Sequence, residues 1–285
     1  MSFAETVLLG GLASSTIFLG LPVGRLELLS TRARVALAMF SVGILVFLLV
    51  DVLAHGFELS EGAVSAFKDG TASFGHAAAY ALLLVGGFAL GSAGLGILER
   101  RVRPSAPLPP IAGGATDVMD VEDRRIASVH ADAARTRALQ TGLIIAAAIG
   151  LHNFAEGLAI GVSASNGEVG LATVLLIGFA LHNATEGFGI VGPLGDVRPS
   201  WRWLALAGVI GGGPTFLGSM VGYSVTSPLL ELVFYAVAGG AILYVIGEIW
   251  HGMRRHGHRE LGLALLAAGF AAGVLTDLVV VYGGG

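Results

Sequence analysis

Cysteine is absent from this chain of 285 residues. That lack excludes a disulfide framework, thiolate metal sites and cysteine nucleophiles together. Charge is scarce as well, since Asp, Glu, Lys and Arg make up 13% of the residues. A soluble globule carries about 25%, because its surface must stay solvated. Apolar residues reach 54% and the mean hydropathy is +0.80, so lipid must be the main solvent. The net charge of −4 says little about partners, and no basic patch of the size nucleic acid needs is present. HExxH, a GxSxG elbow and the phosphate-binding GxxxxGK[ST] are all missing.

What is present is a series of long apolar runs. A bilayer crossing takes roughly 20 residues. Eight such runs predict helices over about 3–21, 35–55, 76–98, 138–164, 169–192, 203–225, 228–251 and 261–282. The chain therefore reads as an all-α membrane protein. Glu5 stands where a secretory leader would carry Lys or Arg, so the first run is expected to be a retained span. The 44 glycines have no collagen-like period and suit close helix packing in a membrane.

Positive charge orients the spans. Arg25, Arg32 and Arg34 follow span one, and seven arginines lie between spans three and four. Arg198 and Arg202 follow span five, and Arg254, Arg255 and Arg259 follow span seven. Of the 16 basic residues, 15 thus fall on one side and Lys68 alone on the other. By the positive-inside rule the arginine side is cytoplasmic, and both termini are extracytoplasmic, in a multi-pass cell-membrane protein.

The chain divides into spans one to three (1–98), a cytoplasmic connection (99–137) and spans four to eight (138–285), together one integral domain. The connection opens with arginines and with Pro104, Pro107, Pro109 and Pro110, then carries Asp117, Asp120, Glu122 and Asp123. That composition predicts disorder in its first half. From about Val121 it becomes helix-compatible and is expected to extend span four.

Polar residues inside spans call for a reason, because a charge at the bilayer centre costs roughly 2.5–3.5 kcal/mol on insertion scales. The strongest case is a repeat. Leu151-His152-Asn153-Phe154-Ala155-Glu156-Gly157 recurs thirty residues later as Leu181-His182-Asn183-Ala184-Thr185-Glu186-Gly187. Both copies lie near mid-span, on consecutive antiparallel spans, so they can meet at one depth. With about 100° per residue, each Glu lies about 40° around from its His, and the Asn about 100°. Two facing helices would pool two imidazoles, two carboxylates and two amide oxygens, a set suited to Zn²⁺, Fe²⁺ or Mn²⁺. Each Glu could bridge two ions. The bland alternative is a polar network that only joins helices. Two aligned copies of an acid-bearing motif speak against it.

Other polar positions carry less. Asp51 and His55 in span two are i, i+4. Asp51 needs a partner at its depth and is a candidate ligand, whereas His55 reads as a helix end. Glu248, near the cytoplasmic end of span seven, is a candidate ligand or exit-gate acid. His76 reads as interfacial, and Trp201, Trp203 and Trp250 fit an interfacial belt. Asp277 in span eight has two open readings, pairing with a helix end or acting in proton movement, with neither favoured. Gly211-Gly212-Gly213-Pro214 is expected to break span six, as a kink or as unwound backbone lining a cavity.

On these motifs and this span pattern the chain resembles the ZIP family (Zrt/Irt-like divalent metal transporters) as a divergent prokaryotic-type member. The resemblance implies spans one to three and six to eight arranged as an inverted repeat around spans four and five. It also implies metal passing toward the cytoplasm through a mid-membrane site. Carried over by motif, the ligands are His152, Asn153, Glu156, His182, Asn183 and Glu186. The chain departs from the family at Ala155 and Thr185, where proline often stands, and at Gly213-Pro214-Thr215-Phe216, where many members carry a glutamate. It also has Gly247-Glu248 in place of His-Glu, and a lone His130 in place of a histidine-rich loop. The expected activity is transport of divalent metal (Zn, Fe, Mn or Cd) as cargo, with no cofactor and no chemistry on the substrate. A metal-dependent intramembrane hydrolase using the same ligands is the alternative. A homodimer is compatible with either reading.

Overall fold

The computed structural model describes residues 1–26, 30–102, 121–167, 169–224, 227–254 and 256–282. Eight helices in it are long and apolar enough to cross a membrane. In chain order they are α1 (Phe3–Arg25), α2 (Thr31–Lys68), α3 (Phe74–Arg101), α4 (Val121–Ser165), α5 (Val169–Val191), α6 (Trp201–Ser224), α7 (Pro228–Arg254) and α8 (Arg259–Tyr282). The expected disorder in the first half of the long connection, including Pro104, Pro107, Pro109, Pro110, Asp117 and Asp120, falls outside the described residues.

Local sequence sets the helix starts. Ser2 and Glu5 form a reciprocal capping box at α1. Ser30 caps α2 by accepting from Ala33 N–H, Ser73 caps α3 through His76 N–H, and Ser200 accepts from Trp203 N–H at α6. Each satisfies an amide that the first helical turn leaves without a partner.

Two helices outrun the expected spans. α4 has 45 residues and α2 has 38. At about 1.5 Å per residue both exceed the roughly 30 Å of a hydrocarbon core. α4 begins at Val121, in the connection. α2 runs on to Lys68, so His55 does not end the helix. The mixed stretch Glu58 to Lys68, with Glu58, Ser60, Glu61, Ser65 and Lys68 among apolar residues, keeps the helix going after the apolar run stops, which hydropathy alone does not register. α6 corrects a second expectation. It is one continuous helix with Pro214 inside it, and the glycine-proline run does not break it. Proline there removes one backbone N–H, and tight packing against α4 holds the turn together.

The packing has an internal two-fold pattern. Exchanging α1 with α6, α2 with α7, α3 with α8 and α4 with α5 maps many of the helix contacts onto one another, the contact of α2 with α3 being an exception. α4 against α6 answers α5 against α1, α3 against α7 answers α8 against α2, and α4 against α7 answers α5 against α2. This is the inverted repeat around α4 and α5. Among the described residues the most extensive seam is α4 on α6. A methyl at Gly157 would run into the carbonyl of Thr215, and one at Gly218 into the carbonyl of Phe154. Backbones can approach this closely in lipid only where side chains are missing.

Hydrogen bonds gather the arginine-rich ends on one side. Arg25 donates to the carbonyl of Pro199, Arg34 donates to that of Gly195 and pairs with Asp196 at 3.5 Å, and Arg135 donates to that of Arg198 at 3.1 Å. On the opposite side, Tyr223 donates to the carbonyl of Met1 at 3.0 Å.

Candidate metal site

The two motif copies meet where α4 and α5 cross. His152, Asn153, Glu156, His182, Asn183 and Glu186 are all buried, with exposures between 0 and 6%. His152 Nε2 lies 3.1 Å from Glu156 Oε1 and 3.8 Å from Glu186 Oε1, so one imidazole stands between both carboxylates. Asn153 Nδ2 donates to Glu186 Oε2 and to the carbonyl of Gly211 on α6, each at 3.0 Å. Asn183 Nδ2 donates to the carbonyl of Ala13 on α1 at 3.1 Å. Each amide is thereby turned so that its nitrogen faces backbone and its oxygen remains for something else.

The donor atoms decide what the site can do. Nine buried atoms here have no hydrogen-bond partner. They are both ring nitrogens of His152 and His182, both oxygens of Glu156, Oε1 of Glu186, and Oδ1 of Asn153 and Asn183. A buried polar atom left unpaired costs about 1–3 kcal/mol, and native structures keep such atoms few. A cluster of nine carboxylate, imidazole and amide donors suits a divalent cation. Among the described residues no three His, Asp or Glu side chains already converge closely enough to grip an ion.

Above the motifs lies a cavity of about 450 Å³. His152, Glu156 and His182 form part of its wall, with Asp51 and His55 from α2. Asp51 and His55 face each other at 4.0 Å, both partly exposed. Glu248 is not among the residues lining this cavity, and it sits half-buried near the end of α7. Two further acids reach the cavity: Glu231 from the first turn of α7 and Asp277 from α8. Sequence reasoning passed over Glu231 and weighed Asp277 only as a helix-end partner or a proton carrier, not as part of this cavity. Their signal lies in depth, since both occupy the ends of their spans opposite the arginines. Phe47, whose ring centroid is 6.4 Å from that of His182, closes one side.

Residues 117–276, more than half of the chain, match the family model described as ZIP Zinc transporter. The chain belongs to the ZIP family. Within that family it is 28% identical over 130 residues to the zinc transporter ZIPB of Bordetella bronchiseptica, covering 45% of this chain and 42% of that protein. It is 30% identical over 152 residues to the zinc transporter ZupT of Clostridium perfringens, covering 50% of this chain and 52% of that one. The match thus spans about half the length of these ZIP relatives. The matched region of the family model contains both motif copies but not α1 to α3.

Proposed function

We propose that this ZIP-family chain carries a divalent transition metal ion, of the Zn, Fe or Mn class, across the cell membrane toward the cytoplasm. The observation that carries this reading is the cluster of nine buried polar atoms without a hydrogen-bond partner, of which those of His152, Glu156 and His182 border the cavity. An ion held by His152, Glu156, His182 and Glu186 would satisfy most of them at once, with Asn153 and Asn183 adding neutral oxygens. Side-chain rotation would have to close the remaining distance around an ion, starting from His152 within 3.8 Å of both carboxylates. That both relatives are zinc transporters supports metal as cargo.

The direction rests on charge. The arginine-rich ends share one face, which the positive-inside rule makes cytoplasmic, so the cavity opens outward and both termini are extracytoplasmic.

Uptake into proteoliposomes with Zn²⁺, Fe²⁺, Mn²⁺ and Cd²⁺ in competition tests the reading, with sidedness read from impermeant labelling of Thr71→Cys and Ala131→Cys. Accumulation of one or more of these metals, with Thr71→Cys labelled from outside, is the expected result. No accumulation of any would sink the transport reading, and labelling of Ala131→Cys alone would reverse the direction.

A further inference from the structure

Far from the metal site, at the arginine-rich ends of α2, α7 and α8, lies a second cavity of about 440 Å³. Its polar wall holds Arg254, His258 and Arg259. Arg32 joins His258 and Arg259 around a shallow adjoining cavity. Its apolar wall is Val35, Met39, Trp250 and Leu263. We propose that this pocket binds an anionic phospholipid, with the phosphate headgroup among the arginines and an acyl chain along the apolar wall.

Four observations carry the assignment. The pocket sits where three spans end. Arg32, Arg254 and Arg259 form no ion pair with any described carboxylate. The nearest acid in sequence, Glu260, lines only the adjoining cavity and is exposed. Two helix N-termini also end here. Arg32 lies in the first turn of α2, and Arg259 opens α8, whose Gly262 N–H bonds back to the carbonyl of His258. Their positive ends add to the guanidinium field around a phosphate.

Shape agrees with charge. A free phosphate needs only the polar wall, and Leu263, 45% exposed beside the buried Val35 and Met39, would then stay uncovered. Trp250, 37% exposed at the rim, is an amphipathic ring of the kind that settles at the lipid interface. Basic pockets between spans on the arginine-rich side are the usual seats of anionic headgroups. The turn that frames the pocket carries Gly257 and His258 at φ 72° and 56°, so its geometry is set by an unusual left-handed pair.

Lipid titration of the detergent-purified full chain, read by native mass spectrometry, tests the site. The probes are phosphatidylglycerol and phosphatidylcholine. Phosphatidylglycerol should bind the more tightly of the two. Replacing two arginines (Arg254→Gln with Arg259→Gln) should weaken its binding roughly thirty-fold, from the usual contribution of each basic residue near an anionic surface. Leu263→Trp, which fills the cavity and leaves every charge in place, should also weaken it. The control pair Arg100→Gln with Arg202→Gln, exposed on the same side but outside the pocket, should not. Equal weakening in the control pair would reduce the effect to general surface charge. Unchanged binding in both pocket variants, or displacement by inorganic phosphate alone at millimolar concentration, would equally overturn the proposal.

Discussion

The two copies of the motif have the same residues at the same spacing, yet the fold anchors them differently. Asn153 on α4 spends its amide nitrogen on Glu186 and on the Gly211 carbonyl, so the first copy holds the carboxylate of the second. Asn183 on α5 bonds only to backbone, at Ala13. His152 stands between both carboxylates, whereas His182 faces Phe47. A repeated motif in sequence therefore becomes an asymmetric site in space. Both amides donate to a carbonyl of an exchanged helix, Gly211 on α6 and Ala13 on α1, and the difference lies in Asn153 also reaching a carboxylate.

The largest effect should come from the shared feature. Glu156→Ala or Glu186→Ala removes one of two negative charges from a buried site and should abolish metal uptake, measured in proteoliposomes. The asymmetry should then show in the amides. Asn153→Ala frees Glu186 and leaves its Oε2 without a partner, at a cost of about 1–3 kcal/mol. It should lower thermal stability and uptake more than Asn183→Ala does. Equal losses from the two would mean that the motif copies act alike and that the hydrogen bond to Glu186 is incidental.

The glycines sharpen the comparison at the level of packing. Gly157 of the first copy and Gly187 of the second each press on backbone, against α6 and α1 respectively. Gly189 meets only side chains, with Ser41 Oγ at 3.0 Å and Ile249 Cδ1 at 3.2 Å from where a methyl would sit. Overpacking against backbone typically costs about 1–3 kcal/mol. Gly157→Ala should therefore lower the melting temperature clearly. Gly189→Ala should be close to neutral, because helix propensity gains about 0.5–1 kcal/mol against a small side-chain adjustment. A neutral Gly157→Ala would show that the α4–α6 seam can separate without penalty.

Protons compete for the same donors. Histidine and carboxylate ligands bind metal only when deprotonated, so binding should release protons and weaken as pH falls. Between about pH 5 and 8, where histidine ordinarily ionises, metal affinity measured by calorimetry should drop toward the acid end. A flat profile would argue against imidazole ligation.

Much of this was legible in the chain, for reasons that differ by element. The eight spans follow from apolar length, and the pairing of His152 with Glu156 follows from helical periodicity. The continuation of α2 past His55 was not legible, because a helix of mixed polar and apolar residues looks like a loop to hydropathy. Pro214 was misleading for the opposite reason. Its local rule is to break a helix, and the rule lost to packing against α4. The carbonyls at Gly211 and Ala13 that orient the two asparagines carry no sequence signal at all, since every residue has a carbonyl. Glu231 and Asp277 had a signal, namely acids at the span ends opposite the arginines, but it acquires meaning only once α7 and α8 are seen to border the same cavity as α2.

The smallest effect separates the floor of the cavity from its wall. Glu156 and Glu186 together supply two negative charges, enough to neutralise one divalent cation. A second ion beside it would leave two positive charges uncompensated in a poorly solvated region, which is strongly unfavourable. The neutral oxygens of Asn153 and Asn183 cannot change that balance, and the α6 stretch Gly213 to Phe216 contributes no acid. Any second ion must draw on another carboxylate. Asp51 is placed to supply it, since it lines the cavity with His152 and Glu156 and its side chain is 38% exposed. Glu248 does not line the cavity. Calorimetry should thus find one tightly bound ion, and a weaker second one that vanishes in Asp51→Ala and persists in Glu248→Ala. Uptake by Asp51→Ala should fall only several-fold, or shift in metal preference, because solvent at the cavity mouth already screens part of that charge. Two equally tight ions that survive Asp51→Ala would break the charge argument, and with it the division between a floor that binds and a wall that assists.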